Sequence, residues 1–306
     1  MPIFLGDSKA YRGKTTMIDK KLEAIEIYPN ILVYKNMFKD ISKSYQVLTD
    51  SISETEDRLF SPWTQWSIFG DYLSPIIPGF SDSDKYGHLK NMQTKTEIQE
   101  SQKGFAMEMM ENFHLVTEDY IKRYNLQIDF NETSIDEDGM TIPTWKWHGG
   151  TIGKYHISDE DNKFGMRYHS DYVRERGWSP GYKFVITCTI YFNDDYEGGE
   201  IDFAMGDKLV KYKPEAGDLL VFPSGHPDYL TEDGIPYLHA VMPSYNKNKF
   251  LSRMYWLKYQ KGTNEWYEKE NEFGKEVWAG MQDQLAEEYH KKHPQRLIIE
   301  NGVRIQ

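Results

Sequence analysis

The sequence predicts an α+β fold, with helical N-terminal support, a β-rich centre and a helical C-terminal tail. Two features predict it. Between about Gln127 and Gly262, short apolar or alternating runs recur between clusters of Gly, Asp and Asn, the pattern of a β-sandwich or barrel. On either side of that span, apolar residues recur at steps of three and four, the period of a helix. The 306 residues contain no internal repeat and no low-complexity tract. They divide into 1–126, 127–262 and 263–306, expected to form one integrated domain.

Residues 1–20 read as loosely ordered. Ile31-Leu-Val-Tyr34 has a short strand signal, and Asp40 to Ile52 reads as a helix with Ile41, Tyr45, Val47, Leu48 and Ile52 on its apolar side. Residues 60–90 place Trp63, Trp66, Phe69, Tyr72 and Phe80 among Pro and Gly, an irregular aromatic segment that packs on the domain or covers a substrate. Lys95 to Tyr124 is the strongest helix. Its stripe of Phe105, Met109, Met110, Phe113 and Val116 is expected to face the core. The strand runs are Thr144–His148, Thr151–His156, Lys183–Asn193, Glu200–Ala204, Lys208–Lys213, Asp218–Phe222, Tyr237–Met242 and Phe250–Tyr259. Gly262 and Asn264 end them. Glu265 to Lys292 then reads as a helix that packs on the β core through Val277, Met281, Leu285 and Tyr289.

Composition narrows the function classes. Hydrophobic residues make up 39% and aromatics 15%, enough for a sizeable core. No apolar run approaches the length of a membrane span, and the first residues lack the charged-then-apolar layout of a secretory signal. A formal charge of −12 argues against a grip on phosphate backbones, so nucleic acid is not the expected partner. Cys188 is the only cysteine, which excludes an internal disulfide and suits a cytoplasmic location.

The chemistry concentrates in His169-Ser170-Asp171, His239 and Lys249. Residues i and i+2 of an extended strand point to one side, so His169 and Asp171 can reach one ion. With a second histidine they form two imidazoles and one carboxylate, the facial set of non-haem iron oxygenases, which leaves positions open for substrate. Taken alone, a His-x-Asp is as easily a surface ion pair. His226 competes with His239 for the second histidine, but it sits in a Pro-Ser-Gly loop, whereas His239 has an apolar flank. His148, His156, His290 and His293 lack the spacing and read as structural.

The surrounding order is more specific than any one motif. It comprises His169/Asp171, Tyr191/Asn193/Asp194, Gly198/Gly199/Glu200, Pro214/Gly217/Asp218 and His239/Pro243/Lys249. Over roughly residues 150–260 this resembles the Fe(II)- and 2-oxoglutarate-dependent dioxygenase superfamily, in particular its prolyl 4-hydroxylase-like branch. The resemblance implies a double-stranded β-helix, the cupin-like jelly roll. It implies Fe(II) held by His169, Asp171 and His239, with 2-oxoglutarate and O2 as co-substrates and ascorbate as a reductant. Succinate and CO2 would accompany hydroxylation of a C–H bond.

Lys249 stands where the family places the cation for the far carboxylate of 2-oxoglutarate. Arg253, four residues on and on the same strand face, is its rival; spacing favours Lys249. Tyr191 matches the family's strand tyrosine that supports this carboxylate. Thr187 and Thr189 share its face and either add a hydrogen bond or line the pocket. Tyr155 resembles an upstream pocket tyrosine, with core packing as the alternative. The chain departs from the family at Ile201, where relatives often carry Thr, and before Lys249, where Asn248 replaces the usual Gly and is expected to take the left-handed turn. The resemblance suggests a prolyl residue of a peptide or protein as substrate. Hydroxylation of a free amino acid or other small molecule, demethylation of a nucleic acid and a non-catalytic jelly-roll binding module are the alternatives.

Overall fold

The computed structural model describes residues 22–42, 45–46, 63–69, 72–76, 96–97, 100–155, 157–160, 165–171, 181–225, 237–261, 272, 281, 284–285, 287–289, 291–293 and 297–305. A hairpin of β1 (Ala24–Tyr28) and β2 (Ile31–Tyr34) comes first. Next are a second hairpin, β3 (Trp63–Phe69) and β4 (Tyr72–Ile76), the short β5 (Thr96–Glu97) and the helix α1 (Glu100–Arg123). A small ribbon, β6 (Thr133–Ile135) with β7 (Thr141–Pro143), leads into the centre. There the chain runs through β8 (Trp145–Tyr155), β9 (Met166–His169), β10 (Tyr182–Tyr191), β11 (Glu197–Gly198) and β12 (Ile201–Met205). It continues through β13 (Lys208–Tyr212), β14 (Leu219–Pro223), β15 (Leu238–Val241), β16 (Ser244–Tyr245) and β17 (Lys249–Tyr259). The strands β18 (Leu297–Glu300) and β19 (Val303–Arg304) come last.

Two sheets hold most of these strands. The larger has the order β1-β2-β14-β10-β17-β8-β3-β4-β5, the smaller β19-β18-β13-β12-β15-β9. In the centre, β8, β10, β14 and β17 lie in the larger sheet, and β9, β12, β13 and β15 in the smaller. The chain therefore winds from sheet to sheet, antiparallel throughout these eight strands. That winding is a double-stranded β-helix, as expected. The N-terminal hairpins extend the larger sheet at both ends, and β18 extends the smaller by parallel pairing with β13.

Alternation along β10 separates two cores. Cys188 and Ile190 point outward into a cluster with Val221, Met254 and Trp256, covered by Phe105, Met109, Phe113, Val116 and Tyr120 of α1. Tyr191 points inward to a second cluster with Phe203, Leu220, Phe222 and Leu251, between the sheets. Residues directly opposite on paired strands share a face. The pairs Thr187↔Tyr255, Thr189↔Arg253 and Tyr191↔Leu251 therefore all face inward. The site is built on that inner face.

Several expectations are corrected. The fold is mostly β: among the described residues α1 is the one long helix, so the N-terminal support is chiefly strands. Residues 63–69 and 72–76 form a hairpin rather than an irregular segment, in keeping with the strand preference of aromatic residues. The rest of the 60–90 segment lies outside the described residues, as do residues 1–20. Ile41, Ser42, Tyr45 and Gln46 are helical, as read; residues 47–52 are not described. The helix expected from Lys95 begins at Glu100, because Thr96 and Glu97 pair with β4. The two runs at 144–156 are one strand, β8. Its Gly149-Gly150 pair marks a bulge where the pairing to β17 shifts between Arg253 and Met254, a place where glycine is at ease. The described tail residues 281, 284–285 and 287–289 are helical. Of the described residues of the expected apolar stripe, Tyr289 packs on the smaller sheet, against Ala204 and Leu238, and Met281 and Leu285 are exposed; Val277 lies outside the described residues. Residues 297–304 return as strands that the sequence reading did not foresee.

Candidate active site

The antiparallel pairing of β15 with β9 sets His239 directly opposite His169. Asp171 follows two residues later, where the chain leaves β9. One ligand atom of each of the three lies within 4.8 Å of the others, and all three side chains are buried. The His169 and His239 Nε2 atoms each stand 3.7 Å from an Asp171 oxygen. The other ring nitrogen is committed: His169 Nδ1 lies 2.7 Å from the Arg167 carbonyl and His239 Nδ1 3.0 Å from that of Tyr237. A carbonyl only accepts, so Nδ1 carries the proton and each Nε2 presents a lone pair inward. Backbone carbonyls fix metal-ligating histidines in this way. Two atoms bound to one ion at about 2.1 Å lie at most about 4.2 Å apart, and the two 3.7 Å separations, from His169 to Asp171 Oδ1 and from His239 to Asp171 Oδ2, fit that limit. The donor set therefore suits a divalent first-row metal.

The larger sheet braces the carboxylate. Thr187 Oγ1 donates to Asp171 Oδ2 at 2.8 Å and lies 2.7 Å from Ser224 Oγ, while Ser170 Oγ donates to the Ser224 carbonyl at 2.9 Å. Thr187, expected in the co-substrate pocket, thus sits at the metal end. Phe222 packs edge-on to the His239 ring at 4.9 Å and restricts its rotation.

Lys249 opens β17 and lies opposite Tyr155 of β8. It is fully buried, at 0% exposure. Its ammonium donates to the Gly199 carbonyl at 2.5 Å and lies 4.9 Å from the centre of the Tyr191 ring. Burial above all, then Lys213 and Arg253, pushes its pKa down to about 7 against the pull of Glu200. Tyr191 is held protonated by burial first, so its hydroxyl is a donor. Arg253 lies nearer the metal end, since its cross-strand partner Thr189 is two residues from Thr187. It is half-buried. Burial opposes its charge, but Tyr255, Tyr155 and Asp171 outweigh that and hold the guanidinium above its ordinary value. Tyr155 and Thr189 are buried on the same inner face. The fold thus brings every expected site residue into one layer between the sheets, with the three metal-binding candidates at one end and Lys249 at the other.

Turn motifs explain how Lys249 is placed. Asn193 Oδ1 accepts from the Phe250 amide at 2.8 Å, and its Nδ2 donates to the Asn248 carbonyl at 2.8 Å, clamping the start of β17. Gly198 and Gly199 both have positive φ, and a Cβ on Gly198 would come within 2.4 Å of the Pro243 carbonyl. Only glycine lets the β11 turn lie that close to the loop before Lys249. The left-handed residue in that loop is Asn246, at φ 66°, rather than Asn248. Asn248 instead accepts from the Ile157 amide through Oδ1. His226, His156 and His290 lie outside the described residues. His293 is exposed.

The sequence reading missed two contributors, Ser170 and Ser224, which meet each other and Thr187 across the fold. Only Ser170, inside His-Ser-Asp, had a local signal.

Residues 153–258 match the family described as the 2OG-Fe(II) oxygenase superfamily. No curated protein matches the chain. Among solved structures it is similar to the viral collagen prolyl hydroxylase of Paramecium bursaria Chlorella virus-1 in complex with 2OG, at 14% identity and a TM-score of 0.44, covering 75% of this chain and 96% of that one. It is also similar to a Pseudomonas putida prolyl-4-hydroxylase, at 15% identity and a TM-score of 0.35 over 72% of this chain and 86% of that one. A 2OG-Fe(II) oxygenase family oxidoreductase from Burkholderia pseudomallei is similar at 9% identity and a TM-score of 0.35, over 74% and 84%. The fold assignment rests on the strand order above.

Proposed function

We propose, from the match of residues 153–258 to the 2OG-Fe(II) oxygenase superfamily, that the chain is an oxygenase of that kind and hydroxylates a C–H bond of a prolyl residue in a peptide or protein. The observation that carries the oxygenase reading is the convergence of the His169, Asp171 and His239 ligand atoms on one point, with each histidine Nδ1 tied to a carbonyl. Three protein ligands leave positions open for a chelating 2-keto acid and for oxygen. Iron bound there supplies oxygen activation coupled to oxidative decarboxylation of 2-oxoglutarate, with ascorbate as the proposed reductant.

The protein's own residues orient and enclose. His169, Asp171 and His239 would hold the metal, and Thr187 keeps one Asp171 oxygen in place. In this reading Lys249 receives the far carboxylate as a point charge, with the Tyr191 hydroxyl beside it. Its burial keeps water from competing for that carboxylate. The prolyl substrate follows from the likeness of the five ordered motifs to the prolyl 4-hydroxylase-like branch. The charge of −12 favours such a peptide over a nucleic acid.

The test is anaerobic titration of the Fe(II)-loaded protein with 2-oxoglutarate, followed by the weak visible metal-to-ligand charge-transfer band. The band is expected in the wild type and absent in His169→Ala. If iron binds without a band, the Lys249 pocket is wrong. If iron does not bind, the chain is a jelly-roll binding module. Succinate release with proline-containing peptides, free proline and methylated oligonucleotides then separates the substrate classes.

A further inference from the structure

The Lys249 end of the pocket holds more polar groups than the reading above uses. Tyr196 is 4% exposed, and its hydroxyl is buried with no hydrogen-bond partner among the described residues. The Ser244 hydroxyl is in the same condition. Both surround Gly199, whose carbonyl accepts from Lys249: an added Cβ there would meet the Tyr196 ring at 2.6 Å and Ser244 Cβ at 3.4 Å. The Tyr196 ring lies 5.7 Å from the Lys249 ammonium and 3.9 Å from that of Lys213. Lys213 in turn donates to the carbonyls of Tyr196 and Gly198. Two ammonium groups are therefore fixed on neighbouring carbonyls around one tyrosine, with no carboxylate of the described residues bonded to either.

A buried donor without a partner has lost its water and gained nothing in return, and such groups in folded proteins ask for an explanation. An anion arriving beside Lys249 would supply the missing acceptor. Burial, then Asp194 and Glu200, keeps the Tyr196 hydroxyl protonated and so able to donate. Resting on the co-substrate reading above, the geometry points to Tyr196 as a specificity-determining residue. Its hydroxyl joins the Lys249 ammonium on the far carboxylate of the 2-keto acid and makes the pocket select a dicarboxylate. Lys213 positions Tyr196 by holding its carbonyl and flanking its ring.

The experiment compares two keto acids by anaerobic titration calorimetry on the Fe(II)-loaded protein. 2-Oxoglutarate carries the far carboxylate; 2-oxopentanoate replaces it with a methyl group and keeps the chelating end. Tyr196→Phe is expected to weaken 2-oxoglutarate about tenfold, the scale of a hydrogen bond to a charged group, and to leave 2-oxopentanoate unchanged. The thermal midpoint of the apoprotein should not fall, because the hydroxyl removed has no partner there. Equal losses for both keto acids, or no loss for either, overturn the assignment. A wild type that prefers 2-oxoglutarate, with the preference lost in Lys249→Ala and kept in Tyr196→Phe, overturns the role of Tyr196 alone. A wild type that binds both alike overturns the pocket and this inference with it.

Discussion

Lys249 is the residue whose surroundings most constrain its chemistry. Its pKa is lowered from 10.5 to about 7 by burial first, with Lys213 and Arg253 adding repulsion. The sign of the consequence is fixed. Between about 7 and its ordinary value the unfolded chain holds a proton that the folded chain has released. Stability contributed at this residue therefore rises with pH across that window, and below about 7 the full cost of the buried charge is present. Binding a carboxylate needs the charged form. Above about pH 7 the empty pocket must take up a proton as it fills, so affinity for 2-oxoglutarate falls by up to about tenfold per pH unit. Titrations between about pH 6 and 9 should show that slope for 2-oxoglutarate and not for 2-oxopentanoate. Lys249→Arg should flatten it, since a guanidinium stays charged throughout. A wild-type affinity that does not change with pH would show that Lys249 does not hold the carboxylate.

At the scale of elements, α1 closes the outer core. Phe113 is wholly buried in it, beside Met109 and Val116 and against the β10 face that carries Cys188. Phe113→Ala is expected to cost about 3–5 kcal/mol of stability, read by denaturant unfolding. 2-Oxoglutarate affinity of the folded protein should hardly change, because the pocket lies on the opposite face of the sheet. This helix was legible because its apolar residues keep one period: four of the five expected stripe residues are buried and Met110 is half-buried. The hairpin at 63–76 was not. Its Trp, Pro and Ser residues fit neither a period of two nor one of 3.6, and only pairing with β8 decides the matter. The metal-binding candidates were legible for the same reason as the helix, since the i, i+2 spacing of His169 and Asp171 is local. Tyr196 and Lys213 meet Lys249 only once β11, β13 and β17 have folded together, and no spacing announces that.

For the molecule as a whole, Cys188 is a built-in reporter of unfolding. It is the single cysteine, fully buried beneath α1, 3.6 Å from Thr117 Oγ1, and burial pushes its thiol up to about 12. It should react with a thiol reagent only at the rate of opening that strips α1 from the sheet, and the labelled fraction should follow unfolding measured by circular dichroism. Fast labelling under native conditions would mean that the helix leaves the sheet on its own. The same two-layer build bears on the site. His169, Asp171 and His239 belong to the smaller sheet and its edge, whereas Lys249 and Tyr191 belong to the larger. A dicarboxylate anchored at both ends, as proposed, would be a tie-rod across the sandwich, and prying the layers apart would mean first breaking that strut. At a hundredfold excess over its dissociation constant it adds about 2.7 kcal/mol to the cohesion of the fold. Depletion of a small metabolite would then loosen the protein mechanically as well as leave it idle.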